Sequence, residues 1–312
     1  MKYVLRLVIV FLVCAIGLLL LGRVLVPPSV HIKRNVSTPF EFFDNEIGHT
    51  SPIIPNVVHY VLLGNATINF ITFLSMVSVI KIQQPNEIWI HSDRTQFKTR
   101  YWEMLEVLSY LKSVPIRKKK MNKPTHVFGQ PLSSVYHSTD IGRIQVLMEH
   151  GGIYLDTDVL ILKPLDIFLN FEMVLGWPVK DNIGTQILMG HKDARFLRLW
   201  LNGYRTYKPR QWYYNAGEYP TNQILSKEPH LVHRVTTLFG VQNLLKELYE
   251  YSHWPQWKDL YSVHLLSRHP PALDFNETSI IWYKKTFGEI ARWILYDTLP
   301  SLNLSSRTIW SL

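Results

Sequence analysis

The sequence predicts an α/β fold: a Rossmann-like, mainly parallel sheet with flanking helices, preceded by one N-terminal transmembrane helix. Three observations carry this. From residue 57 onward β-rich runs alternate with apolar segments of helical length. A run without charge extends from Leu7 to Gly22, with Lys2 and Arg6 before it and Arg23 after it. Two carboxylates, Asp156 and Asp158, directly follow the apolar strand pattern Ile153-Tyr-Leu155, as ligand-holding residues do at the carboxyl ends of strands in such sheets.

Taken in order, residues 1–6 form a cytosolic tail and residues 7–26 a membrane anchor. Lys2 and Arg6 hold the N-terminus in the cytosol and place everything after Arg23 in the lumen. A cleaved signal peptide is the rival reading of the same run, but no small-x-small cleavage site precedes Pro27 and Pro28. The sequons at Asn35, Asn65, Asn276 and Asn303 fit a luminal glycoprotein. The only cysteine, Cys14, falls inside the apolar run, so the luminal part has no disulfide framework and no cysteine-based zinc site. Residues 27–52, rich in Pro, Ser, Thr and Asn, read as a short stem, and residues 53–312 as one luminal domain.

Within that domain Val57–Leu62 reads as a strand, 68–82 as a helix, Glu87–Ile90 as a strand, 97–111 as a helix, and 133–150 as a helix ended by Gly151 and Gly152. Later strand candidates are 173–177, 186–189 and 263–266, with helices over 195–207 and 241–251. The net charge of +9 owes much to Arg117 through Lys120 with Lys123. That run reads as a solvated loop on a luminal protein, and no nucleic-acid partner is expected.

A bare D-x-D carries little weight, since eleven Asp in 312 residues would produce about 0.4 by chance. Its setting carries more. Two carboxylates just past a strand suit a hard divalent cation, Mn²⁺ or Mg²⁺, which takes oxygen ligands and keeps positions open for phosphate. Gly151 and Gly152 let the backbone pass close to a ligand. Asp140 and Arg143, three apart on a helix, share a face and can reach one bound molecule; the alternative is a simple ion pair. His59 reads as a core histidine, and Trp212-Tyr-Tyr214 as packing or a loop anchor, with a sugar platform as the alternative.

At these residues the chain resembles the DXD-containing glycosyltransferases of family 32, which are related to yeast initiating mannosyltransferases and to the glucosylating domain of large clostridial toxins. The likeness runs through Ile54-Pro-Asn-Val-Val-His-Tyr-Val-Leu-Leu-Gly64, Thr139-Asp-x-x-Arg143, Gly151-Gly-Ile-Tyr-Leu-Asp-Thr-Asp158 and Lys163-Pro-Leu165. The resemblance implies a GT-A-type fold, a nucleotide-sugar donor, Mn²⁺ (or Mg²⁺) and retention of anomeric configuration. Together with the anchor and its flanking charges, it points to a Golgi type II protein acting on a glycan, glycolipid or glycoprotein acceptor. It puts the donor against Tyr60, Val61, Leu62, Asp140, Arg143, Gly152, Tyr154 and Asp156, and the metal on Asp158 and Asp156. His264 is a candidate metal or diphosphate contact from a late V-H-x-W-like pattern in which Leu266 replaces Trp. Gln186 is a candidate aid beside the anomeric carbon, so that Asp156, Asp158 and Gln186 make up the catalytic set. Leu62 stands where related sequences often carry Trp. Two other readings remain open: a non-catalytic luminal glycan-binding protein, and a haloacid-dehalogenase-type phosphohydrolase, which would need a later acidic pair.

Overall fold

The computed structural model describes residues 39–296 apart from Thr95. The cytosolic tail, the anchor, residues 27–38 of the stem and the sequons at Asn35 and Asn303 lie outside the described residues. Among the described residues no helix is long and apolar enough to cross a membrane.

The first half follows the alternation read from the sequence. Strand β1 (Val57–Leu62) leads through helix α1 (Phe70–Ser78) to β2 (Glu87–Ser92), then through α2 (Arg100–Lys112) to β3 (Ile116–Lys120). A two-residue ladder, β4 (His126–Val127) with β5 (Gln130–Pro131), precedes α3 (Val135–His150). Each helix starts where a polar side chain satisfies an orphan amide: Asn69 accepts from the Thr72 N–H, Thr99 from that of Trp102, and Ser134 from that of His137. Helix α3 ends at Gly151, whose φ of +66° needs glycine.

The chain then returns to the middle of the sheet as β6 (Gly152–Leu155), followed by β7 (Val159–Ile161), β8 (Met173–Gly176), β9 (Ile187–Gly190) and α4 (Arg195–Gly203). After it come β10 (His233–Val235), α5 (Leu245–Tyr249), β11 (Ser262–His264), α6 (Ser279–Trp282) and α7 (Thr286–Tyr296). The central sheet has the order β10-β8-β9-β6-β1-β2-β3. It is mainly parallel: β9 alone runs against its neighbours β6 and β8. The chain winds outward from β1 to β3 and comes back to the other side of β1 as β6. The strand order therefore reverses between β1 and β6, the crevice where ligands bind in sheets of this kind.

The alternation of side chains along β1 fills both layers. Tyr60 and Leu62 join the core under α1, and Val61 and Leu63 the core shared with α3 and α4. The strand around Tyr60 to Leu62, expected to line the donor, turns the side chains of Tyr60 and Leu62 inward. Both are buried, and the Tyr60 hydroxyl lies 2.9 Å from Ser75 Oγ. Val61 packs beside Gly142 in α3.

Three readings need correction. The basic run 117–120 is the edge strand β3 rather than a loop. Arg117, Lys118 and Lys120 are exposed and guard an edge that would otherwise invite pairing, while Ile116 packs on the core. The helix expected over 241–251 shortens to α5. The fold begins before residue 53: Phe40 is buried edge-on against Phe43 and His191, and Asn45 is fully packed. The Asn45 amide donates to Glu172 Oε2 at 3.2 Å and to the His230 carbonyl at 3.0 Å, and accepts from the Glu172 N–H. Glu172, with no exposed surface, takes a forked bond from Arg195, whose other donors reach the carbonyls of Glu41 and Phe43. Removing either partner of that ion pair would strand a buried charge, at a cost of about 3–5 kcal/mol.

Candidate active site

The carboxyl end of β6 delivers the two aspartates. Asp156 N–H bonds the Gln186 carbonyl at 2.8 Å, and the Asp156 carbonyl accepts the Val159 N–H at 3.1 Å, so the D-x-D turn is pinned between β6, β7 and β9. β11 pairs antiparallel with β7 and sets His264 opposite Val159. That pairing carries the His264 ring to Asp158, far earlier in the chain: Nε2 lies 3.3 Å from Asp158 Oδ1. Ser267, just after the strand, donates to Asp158 Oδ2 from its backbone N–H (3.0 Å) and its hydroxyl (2.9 Å).

Burial alone would raise the Asp158 pKa, but His264 and the two Ser267 bonds overcome it and hold the carboxyl well below the usual range. Burial would lower His264, and Asp158 followed by Asp156 outweighs it and raises the imidazole instead. Asp156, Asp158 and His264 each offer a ligand atom, and these atoms lie within 4.8 Å of one another. Two carboxylate oxygens and one imidazole, one carboxylate held ionised, are a donor set that fits Mn²⁺ or Mg²⁺. The acidic pair that a phosphohydrolase scheme needs is absent from this cluster among the described residues: its third member is a histidine.

On the other flank Arg143 is a hub. Its Nη2 lies 3.0 Å from Asp140 Oδ1 and 3.5 Å from Asp156 Oδ1, its Nη1 donates to the Thr185 carbonyl (2.6 Å) and Oγ1 (3.0 Å), and its guanidinium lies 4.9 Å from the Tyr154 ring centroid. The ion pair between Asp140 and Arg143 therefore exists, yet it is buried and shared with Asp156, unlike an exposed surface pair. Burial, and then Asp156, raise the Asp140 pKa against the opposing pull of Arg143. The Arg143 Nε and the Tyr204 hydroxyl, both buried, lack a hydrogen-bond partner.

The remaining sequence candidates divide. The Tyr154 hydroxyl donates to Asp156 Oδ1 at 2.6 Å while its ring lies in the core, so its side chain orients the carboxylate. Gly152 faces His59: a Cβ there would meet His59 Nε2 at 2.6 Å and the Val57 carbonyl at 2.7 Å. Packing and a φ of +108° both require glycine there. His59 is buried, with its two nitrogens on His91 (3.0 Å) and the Gly151 carbonyl (2.8 Å). Gln186 Nε2 donates to the Val241 carbonyl at 3.0 Å and lies 3.3 Å from His264 Nδ1. That position makes it a neighbour of the histidine as well as of the D-x-D turn. No sequence signal pointed to Ser267, Thr185 or Arg268. Arg268 is exposed beside Ser267, and its charge acts on both Asp140 and His264.

Of two clefts in the fold, one borders this region. One of about 750 Å³ opens between the start of α1 and residues 267–275, beside Ser267 and Arg268. The other, about 670 Å³, lies between β3 and α3, lined by His91, Lys119 and Glu149, and does not include the aspartates.

Part of this geometry, from Asp140 to Asp158, lies in a segment that matches a known family model. Residues 74–180 match the family model described as the glycosyltransferase sugar-binding region containing DXD motif. A curated relative, glucan organizing enzyme 1 of Cryptococcus neoformans var. grubii, is 24% identical over 202 residues. That alignment covers 56% of this chain and 53% of the relative, so the chain spans about half the length of the curated relative it matches. Among solved structures, the apo form of the glycosyltransferase GlyE of Streptococcus pneumoniae aligns with a TM-score of 0.48 at 10% identity, over 77% of this chain and 60% of that one. The galactosyltransferase LgtC, in complex with donor and acceptor sugar analogues, aligns with a TM-score of 0.45 at 14% identity, over 75% and 95%.

Proposed function

We infer that this glycosyltransferase, whose residues 74–180 carry the DXD sugar-binding region, is metal-dependent and moves a hexose from a nucleotide sugar such as UDP-galactose or UDP-N-acetylglucosamine to a glycan, glycolipid or glycoprotein acceptor. The observation that carries the reading is the convergence of Asp156, Asp158 and His264 on one point at the β1/β6 crevice.

Asp158, Asp156 and His264 would hold the cation. A bound Mn²⁺ or Mg²⁺ supplies Lewis-acid neutralisation of the departing diphosphate. The chain's own residues do the rest. Ser267 and His264 keep Asp158 ionised and fixed, Tyr154 fixes Asp156, and Gln186 lies beside His264 Nδ1. Asp140 is placed to accept from hydroxyls of the donor sugar, with Arg143 bracing both Asp140 and Asp156. Exposed Arg268 adds positive charge near the leaving group. No side chain in the cluster is set up as a protein nucleophile, so with the retention that the family resemblance implies, a same-face displacement in which the departing phosphate takes the acceptor's proton suits the site better than a double displacement.

We place the enzyme in the Golgi as a single-pass type II protein. The exposed sequon asparagines Asn65 and Asn276 support a luminal domain. Glycosidase treatment should then shift its mobility while the protein stays with carbonate-washed membranes, and release into the wash would reject the anchor. The activity is tested with a panel of UDP- and GDP-sugars with and without Mn²⁺. Turnover of at least one donor, lost in EDTA, is expected, and metal-independent turnover would overturn the metal assignment.

A further inference from the structure

We propose that Trp212 and Tyr136 form a stacking platform for a pyranose ring of the acceptor, at the mouth of the donor site. The proposal rests on the glycosyltransferase reading and names the chemistry of its second substrate: a hexopyranose presenting a face of C–H groups.

The aromatic triplet 212–214 separates into different roles. Tyr213 is built in, its hydroxyl donating to the Ile183 carbonyl at 2.5 Å, and Tyr214 lies under Lys208 and edge-on to Tyr219. Trp212 is left 57% exposed and Tyr136 42% exposed. Their rings meet edge-to-face at 4.9 Å and 68°, and the Arg268 guanidinium lies 4.3 Å from the Tyr136 centroid. Large aromatic rings left in water usually mark a contact surface.

Three segments bring this patch to the chemistry. Tyr136 lies one helical turn before Asp140 on α3, so both share a face. Arg268 follows Ser267, which grips Asp158. The Trp212 carbonyl lies 3.2 Å from His137 Nε2, whose Nδ1 is bonded to the Tyr207 hydroxyl at 2.5 Å. The His137 ring also packs 5.7 Å from Trp212. The tryptophan is thus held in place before anything binds, which reduces the ordering cost of binding. An acceptor hydroxyl must approach a donor sugar held at Asp140 from outside the crevice, and the patch borders that path. Pyranose C–H faces stack on aromatic rings, and the forked donors of Arg268 suit hydroxyls at the ring edge.

The test uses the full chain as wild type, Trp212→Ala, Trp212→Phe and Tyr136→Ala, with methyl β-galactopyranoside, methyl β-glucopyranoside and methyl α-mannopyranoside as probes. Saturation-transfer NMR reads pyranoside binding, calorimetry reads UDP binding with Mn²⁺, and UDP-galactose turnover reads the ratio of transfer to hydrolysis. At least one pyranoside should bind wild type and lose tenfold or more in affinity in Trp212→Ala, with most of it restored in Trp212→Phe, while UDP affinity stays within twofold. The transfer-to-hydrolysis ratio should fall at least tenfold. Pyranoside binding indifferent to both alanine variants overturns the platform. A parallel loss of UDP affinity also overturns it, because the rings would then serve the nucleotide. If wild type turns over no donor, the enzymatic reading fails, and the NMR arm still decides the platform.

Discussion

The substitution Asp158→Asn has two separable consequences, and the structure sets the size and pH dependence of the second. The shape of the side chain is kept: the new amide oxygen can still accept from Ser267, and the new NH₂ can face His264. What disappears is the negative charge. The pair that Asp158 forms with His264 is largely buried, with side-chain exposures of 12% and 14%, and the Ser267 bonds to it are charge-assisted. Losing that charge should cost about 1–2 kcal/mol, or roughly 2–8 °C in Tm for a domain of this size. The sign with pH follows from His264, whose folded pKa is raised chiefly by Asp158 against burial. A raised histidine contributes stability that is full below its unfolded pKa near 6.5 and is lost as pH rises through its folded value. Melts of both proteins in EDTA at pH 5.5, 7 and 9 should therefore differ most at pH 5.5 and least at pH 9. Mn²⁺ should raise the Tm of wild type and not of the variant, and Mn²⁺-dependent turnover should vanish. A gap that is constant or grows with pH would refute the coupling of Asp158 to a protonated His264, and a fully active variant would refute the metal site.

Asp140→Asn should retain UDP affinity, since Asp156, Asp158 and His264 are untouched, and lose on the order of a hundredfold in transfer from the intact donor; calorimetry beside a transfer assay checks both. His59 and His91 are depressed to about 3 and about 4, in each case chiefly by burial, so the unfolded chain takes up protons that the folded one refuses. Their stabilising contribution is whole above pH 6.5 and falls as pH drops toward 4, with a slope of up to about 1.4 kcal/mol per pH unit for each imidazole, which urea melts from pH 7 to 4.5 should show. In Gly152→Ala the new methyl would collide with His59 and the Val57 carbonyl at a backbone φ that alanine resists, so a loss of more than about 3 kcal/mol or failure to accumulate folded protein is expected in expression and thermal-melt assays.

The parallel half of the sheet and the D-x-D turn were legible because each element there is long enough to show its period and is bracketed by caps and glycines. β1, β2 and α3 appear within a residue or two of their expected bounds. The second half was harder to read for a physical reason. Strands of three residues, such as β7 and β10, are too short to show alternation; β11 was read, at 263–266, and in the first half β3 hides its one packed residue, Ile116, ahead of four basic ones. Asp156 and Asp158 could be chosen from sequence because neighbours in the chain make the motif. Ser267 and Thr185 could not, since they matter only through the β7/β11 ladder and the reach of Arg143. Tyr154 and Gly152 were found as part of the motif, but each is recruited inward, one to orient Asp156 and the other to make room for His59.

The clamp of Asn45, Glu172 and Arg195 has a mechanical meaning. β8 runs parallel to β6, so Glu172, at its start, sits at the pole of the sheet opposite the D-x-D turn, and Ile53, Ile54 and His49 are tied to the same pole through the carbonyls of Leu169 and Asn170. Under the anchored topology proposed above, a pull from the residues before 39 would enter the molecule at this pole. The crevice would then face outward from the surface that holds the chain, and the load would fall on the Glu172–Arg195 ion pair before it reached Asp156 and Asp158.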